Sequence, residues 1–129
     1  MKENSNLIIN NPRKLEGTIS VPGDKSITHR AIMLGALSDG ALKISNGLLS
    51  EDCMRTLTAF RELGIDIQID NNIITIFGKG LNGLSKTKSQ IDAGNSGTMA
   101  RLLSGILSTQ NFNSSMSGDE SLVTRPMGR

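Results

Sequence analysis

Ten residues, Val21-Pro22-Gly23-Asp24-Lys25-Ser26-Ile27-Thr28-His29-Arg30, force an extended chain to turn into a helix. Before them, Leu15-Glu16-Gly17-Thr18-Ile19-Ser20 alternates like a short strand, predicting a strand over 16–21. After them, Ala31-Ile32-Met33-Leu34-Gly35-Ala36-Leu37 predicts a helix over 26–37. A strand, a Pro-Gly turn and Lys-Ser at a helix start suit anion binding. Free backbone N–H groups at a helix N-terminus attract negative charge, and Ser26 can serve as N-cap or ligand. Lys25 adds a full charge, and Arg30 lies one helical turn beyond Ser26. Spacing alone does not separate this from a capped surface helix with two solvated cations.

Composition narrows the partners. With 129 residues, the chain supports one modest core. Trp and Tyr are absent, so Ile, Leu, Val and Met must build that core. The net charge of +2 is too small to argue for nucleic acid, and base-stacking aromatics are missing. No apolar run approaches membrane-spanning length. Residues 1–6 carry an acid before a brief apolar patch and do not look like a signal peptide. Cys53 is the single cysteine, so no intramolecular disulfide forms, which suits a reducing cytoplasm. Without a paired His or Cys, Cys53 supports neither catalysis nor metal binding. No metal or cofactor is expected.

Along the chain, Leu7-Ile8-Ile9 predicts a short strand ended by Asn10-Asn11-Pro12. Ser38-Asp39-Gly40 stops the first helix, 41–44 is a strand and Ser45-Asn46-Gly47 a turn. A second helix runs over 50–63, with Ser50 as N-cap and Glu51 and Asp52 in the favoured first turn. Met54, Leu57, Phe60 and Leu63 form its apolar stripe, and Gly64 ends it. Strands over 65–69 and 74–77 flank hairpin chemistry at Asp70-Asn71-Asn72. After a polar connector, 81–89, Gln90-Ile91-Asp92 leads through Gly94-Asn95-Ser96-Gly97 into a third helix over 98–107. Residues 112–116 form a weak strand. The second half thus echoes the first in structure: strand, glycine turn, helix, strand. The last residues, Arg125-Pro126-Met127-Gly128-Arg129, look like the approach to a further helix, so a truncated product is expected.

Three stretches carry a family resemblance. Pro22-Gly23-Asp24-Lys25-Ser26-Ile27-Thr28-His29-Arg30 resembles the N-terminal signature of the EPSP synthase (3-phosphoshikimate 1-carboxyvinyltransferase) family. Asp92-Ala93-Gly94-Asn95-Ser96-Gly97-Thr98-Met99-Ala100-Arg101 and Gly118-Asp119-Glu120-Ser121-Leu122-Val123-Thr124-Arg125-Pro126-Met127 resemble the same family, in the same order. The likeness runs from about Leu15 onward. Family enzymes are longer, so the chain resembles their N-terminal part. The resemblance implies an α/β (α+β) fold of βαβαββ units with helices packed on mixed sheets. It implies a strand and linker over 1–14, a first unit over 15–89 and the start of a second over 90–129.

It also implies enolpyruvyl transfer from phosphoenolpyruvate to shikimate 3-phosphate. Lys25, Ser26 and Arg30 match family positions at shikimate 3-phosphate. Lys25, Asn95, Gly97 and Arg125 match positions at phosphoenolpyruvate, with Lys25 touching both ligands as the catalytic candidate. The chemistry is apt. Arg makes bidentate contacts to carboxylate or phosphate, Lys acts as a mobile point charge, and glycine leaves room for a ligand. Lys25 between two anions could give a proton or stabilise developing charge. His29, the only histidine, is expected to be structural. Asp24 and Thr28 are expected to cap and orient the loop, and Arg101 to orient the third helix. Asp52 resembles a family acid at the cleft edge, although the helix dipole alone explains it.

The resemblance places the main acid and base carboxylates outside this chain, implying half a site and little activity alone. It implies a monomeric, cytoplasmic, full-length enzyme that glyphosate inhibits. Two rivals remain. A related UDP-N-acetylglucosamine enolpyruvyl transferase resembles Lys-Asn where Lys25-Ser26 stands and lacks the counterpart of Arg30. A stand-alone anion-binding module of the same shape would have no catalysis.

Overall fold

The computed structural model describes residues 7, 8, 10, 11 and 14–128. Its elements follow in chain order as α1 Lys25–Leu37, β1 Asp39–Ser45, α2 Glu51–Glu62, β2 Asp66–Asp70, β3 Ile73–Lys79, β4 Ile91–Asp92, α3 Gly97–Leu107, β5 Met116–Ser117 and α4 Glu120–Val123. The α/β class stands. Parallel and antiparallel pairings occupy separate sheets. One is antiparallel in the order β1-β3-β2, and the other pairs β4 with β5 in parallel.

The three main helices fall where the sequence puts them. α1 begins at Lys25 because Asp24 Oδ1 accepts from Ile27 N at 2.7 Å. Asp24 is therefore the N-cap, and Ser26 lies inside the first turn. The stop at the other end is shorter than the Ser-Asp-Gly pattern implies. Ser38 caps α1, while Asp39 and Gly40 already pair with Lys79 and Gly78. Between β2 and β3, Asn71 and Asn72 both take positive φ, which makes the two-residue turn that matches strand twist.

The predicted strand over 16–21 does not form. Residues 15–21 are exposed and run without a ladder; Leu15 is 85% and Ile19 84% exposed. Alternation marks a chain that can pair, but a strand exists only beside another, and among the described residues none lies alongside. Leu7 and Ile8 are likewise exposed and outside any strand, and Ile9 of that predicted strand lies outside the described residues.

One core joins all three main helices. Ile32, Met33 and Ala36 of α1, Leu57 and Phe60 of α2, and Met99 and Leu103 of α3 meet Ile67, Ile74 and Ile76 of the sheet. Each fully buried aliphatic or aromatic side chain there stabilises the fold by roughly 1.5–3 kcal/mol. Of the predicted α2 stripe, Leu57, Phe60 and Leu63 are buried, and Met54 packs at the edge. Leu84 anchors the polar connector to this core, and Ser85 N donates to Leu63 O at 2.8 Å.

The turn before α1 is wedged against the loop after β1. A Cβ at Gly23 would stand 2.1 Å from Asn46 O, so only glycine fits. Thr28 Oγ1 closes the same junction, donating to Asp24 O at 2.7 Å and accepting from Leu48 N at 3.0 Å. Lys25 is thus presented from a braced helix start.

Candidate functional site

The helix beginnings are laced together by side chains. Lys25, the first residue of α1, donates from Nζ to Asp52 Oδ2 at 3.1 Å. Asp52 is the second residue of α2, and its neighbour Glu51 accepts from Arg55 Nη2 at 2.9 Å. Arg55 also pairs with Asp92, whose Oδ1 accepts from Gly94 N at 2.7 Å. Gly94 opens the turn that carries Asn95 and Gly97 into α3. Asn95 then joins Asp119 and Arg125. Its Nδ2 donates to Asp119 Oδ2 at 2.7 Å, and its Oδ1 accepts from Arg125 Nη2.

The predicted site residues fall into two groups on this chain of contacts. Lys25, Ser26 and Arg30 lie at the start of α1, where Arg30 Nη1 donates to Ser26 O at 3.1 Å. Asn95, Gly97 and Arg125 form the second group. A Cβ on Gly97 would lie 3.2 Å from Arg125 Nη1, so glycine there is what lets the guanidinium lie close to the turn. The first turn of α2 joins the groups through Asp52, Glu51 and Arg55.

The charges are arranged for orientation rather than stability. The Lys25 side chain is half exposed, and an exposed pair such as Lys25–Asp52 contributes about 0–1 kcal/mol. Its geometric effect is larger, because a flexible ammonium is held at the end of α1. Asp119 is held similarly. The Asn95 amide and the Leu122 N–H keep its carboxyl below the ordinary 3.8. As N-cap of α4, Asp119 also accepts from Leu122 N at 2.8 Å. Arg125 Nη2 reaches Ser121 Oγ at 3.3 Å, so α4 helps to aim it.

His29 lies inside the fold, beside the α1 end of this network. It is fully buried, with Nδ1 2.8 Å from Thr56 Oγ1 across the α1–α2 contact. Burial lowers its pKa below the ordinary 6.5, with Lys25 and Arg30 adding to the shift and Asp52 opposing it. His29 thus lies within the α1–α2 packing contact. Cys53 is buried, and burial pushes its thiol up. Arg101 donates to Pro126 O at 2.8 Å, so it ties the segment after α4 to α3. Among the described residues no group of three or more His, Cys, Asp or Glu is placed to hold a metal, and no helix is long and apolar enough to cross a membrane.

A cavity of about 450 Å³ lies elsewhere, between α3, β5 and α4, lined in part by Arg101, Met116, Leu122 and Met127. Its single cation suits a doubly anionic ligand less well than the cations along the network do.

Sequence reasoning missed Arg55, Asp92 and Asp119 as parts of this network. Two of them carried a local signal. Asp92 stands two residues before Gly94, the spacing of an Asx turn, and Asp119 stands three before Leu122, the spacing of an N-cap. Arg55 carried only half of one: Glu51 stands four residues before it, the spacing of a helical ion pair, but its other partner, Asp92, lies on another element.

Residues 9–129 match the family profile described as EPSP synthase (3-phosphoshikimate 1-carboxyvinyltransferase). The chain is similar to the 3-phosphoshikimate 1-carboxyvinyltransferase of Ruthia magnifica subsp. Calyptogena magnifica, at 51% identity over 97% of the chain and 29% of that relative. The Alkaliphilus metalliredigens enzyme of the same description is 53% identical over 95% of the chain and 29% of its own length. In structure the chain is similar to the EPSP synthase from Acinetobacter baumannii, with a TM-score of 0.82 and 49% identity over 86% of the chain and 26% of that protein. The chain thus spans under a third of the length of these relatives.

Proposed function

Because the chain belongs to the EPSP synthase family, we propose that it forms part of a 3-phosphoshikimate 1-carboxyvinyltransferase. Such an enzyme moves the enolpyruvyl group of phosphoenolpyruvate onto shikimate 3-phosphate, giving 5-enolpyruvylshikimate 3-phosphate and phosphate. The observation that carries the reading is the run of contacts from Lys25 to Arg125, made by side chains and continued along the backbone from Asp52 to Glu51 and from Gly94 to Asn95. It links the start of α1, which carries Lys25, Ser26 and Arg30, to the turn entering α3 and to Arg125 just after α4, by way of the first turn of α2.

In this reading Arg30 and Ser26 take shikimate 3-phosphate, and Arg125, Asn95 and the open face of Gly97 take phosphoenolpyruvate. Lys25 lies between them. Its charge offsets the repulsion of two anions as the reacting carbons approach, and it is the group placed to supply charge or a proton there. Residues 15–89 form the first repeat unit and 90–129 begin a second, in keeping with one sheet over 39–79 and another over 91–117. The complete enzyme works as a cytoplasmic monomer, a setting that the single buried thiol of Cys53 suits.

The test is phosphate release by the chain completed to its relatives' length. Release from phosphoenolpyruvate should require shikimate 3-phosphate and should not occur with UDP-N-acetylglucosamine. The reverse preference would assign the chain to the amino-sugar transferases, and no release with either would favour a non-catalytic module. The 129-residue chain alone should release none.

A further inference from the structure

Arg55 touches none of the residues assigned to a ligand, yet the turn that carries two of them is built against it. Its guanidinium pairs with Glu51 on its own helix and with Asp92 of β4. The same Asp92 carboxylate accepts from Gly94 N through its other oxygen, at 2.7 Å. Asp92 therefore acts as a clasp between Arg55 and the start of the turn. Packing repeats the link. A Cβ on Gly94 would stand 2.2 Å from Arg55 Nε, and Gly94 holds φ +53°, so its backbone lies directly on the guanidinium. Gly94 O accepts from Asp119 N at 2.9 Å, and Asp119 in turn holds Asn95.

We infer that Arg55 is a positioning residue for the phosphoenolpyruvate half of the site, fixing the 94–97 turn through Asp92 and so the placement of Asn95 and Arg125. The inference rests on the function proposed above for its ligand, but not for its structural step. A planar guanidinium can hold two carboxylates and a peptide face at once, which a Lys ammonium cannot. The ion pairs and hydrogen bonds of Arg55 go to Glu51 and Asp92, and none goes to Ser26 or Arg30 at the start of α1.

Two readouts on the chain completed to its relatives' length separate these parts. The first needs no substrate. In Arg55→Ala, amide exchange at Gly94 and Asn95 should accelerate about tenfold or more relative to Leu103 in α3, as a local opening. Unchanged exchange overturns the positioning role. The second is kinetic. Arg55→Ala should raise KM for phosphoenolpyruvate by about tenfold, with KM for shikimate 3-phosphate and kcat changed less than about threefold. Arg55→Lys should fall between the variant and the parent. Losses in Arg55→Ala and Asn95→Ala should be less than additive when combined, since both act through one turn. If Arg55→Ala does not fold, Arg55→Lys carries both measurements. A KM rise shared by both substrates, or a fall in kcat alone, overturns the link to phosphoenolpyruvate. An inactive parent enzyme would instead overturn the proposed function, leaving the exchange result to decide the structural step.

Discussion

Gly97 and Arg125 are fitted to each other: a Cβ on Gly97 would lie 3.2 Å from Arg125 Nη1. That distance is slightly too short for ordinary contact, and the neighbour is the movable tip of a side chain. Gly97→Ala should therefore fold normally and displace the guanidinium by a few tenths of an ångström. Because Arg125 also rests on Asn95 and Ser121, the displacement disturbs a shared arrangement. KM for phosphoenolpyruvate should rise by about tenfold, corresponding to about 1.4 kcal/mol of lost binding, with KM for shikimate 3-phosphate unchanged. Steady-state kinetics with each substrate varied in turn would check this.

The candidate site was largely legible before the structure, because its residues sit in short contiguous motifs. Lys25, Ser26 and Arg30 share one helix start, and Asn95 and Gly97 share one turn. The network behind them was not legible. Arg55 earns its place only through Asp92 and Gly94, 37 positions away at the nearer, and no local pattern announces such a pair. The fold divides in the same way. The Asn71-Asn72 hairpin and the capping role of Asp24 are local physics and were read correctly, whereas Ser26 is not the cap of α1 and Ser50 stands at the N-cap position of α2 without a side-chain capping bond. The strand over 16–21 was misread because alternation reports only a willingness to pair, while pairing depends on a neighbour elsewhere.

The cap of α1 offers a stability test. Asp24→Ala removes the acceptor for Ile27 N and should lower unfolding free energy by about 0.5–2 kcal/mol. Asp24→Asn keeps a side-chain oxygen and should lose much less. Thermal melts of the three proteins would check the order, with the parent highest and Asp24→Ala lowest.

His29 predicts a pH dependence of stability. Its neutral form is favoured in the fold, so its folded pKa lies below the ordinary 6.5. As pH falls through about 6.5, the unfolded chain takes up this proton first, so stability declines until the folded pKa is passed. Lys25 and Arg30 strengthen the effect and Asp52 weakens it. His29→Gln should lose less stability than the parent between about pH 7.5 and about pH 5.5, as read from urea midpoints at both values. Parallel losses in the two proteins would show that His29 is not the group responsible.

Lys25 carries the central claim, and its replacement is the most direct test. Lys25→Ala in the chain completed to its relatives' length removes one charge-assisted contact from between two anions. Such a loss costs on the order of 2–4 kcal/mol of transition-state stabilisation, or roughly a 30- to 1000-fold fall in rate. Thermal stability should barely change, because the exposed Lys25–Asp52 pair contributes about 0–1 kcal/mol. Measured as shikimate 3-phosphate-dependent phosphate release, turnover that nearly vanishes in a normally folded Lys25→Ala protein is the result this account predicts. Turnover at the parent's rate would contradict it.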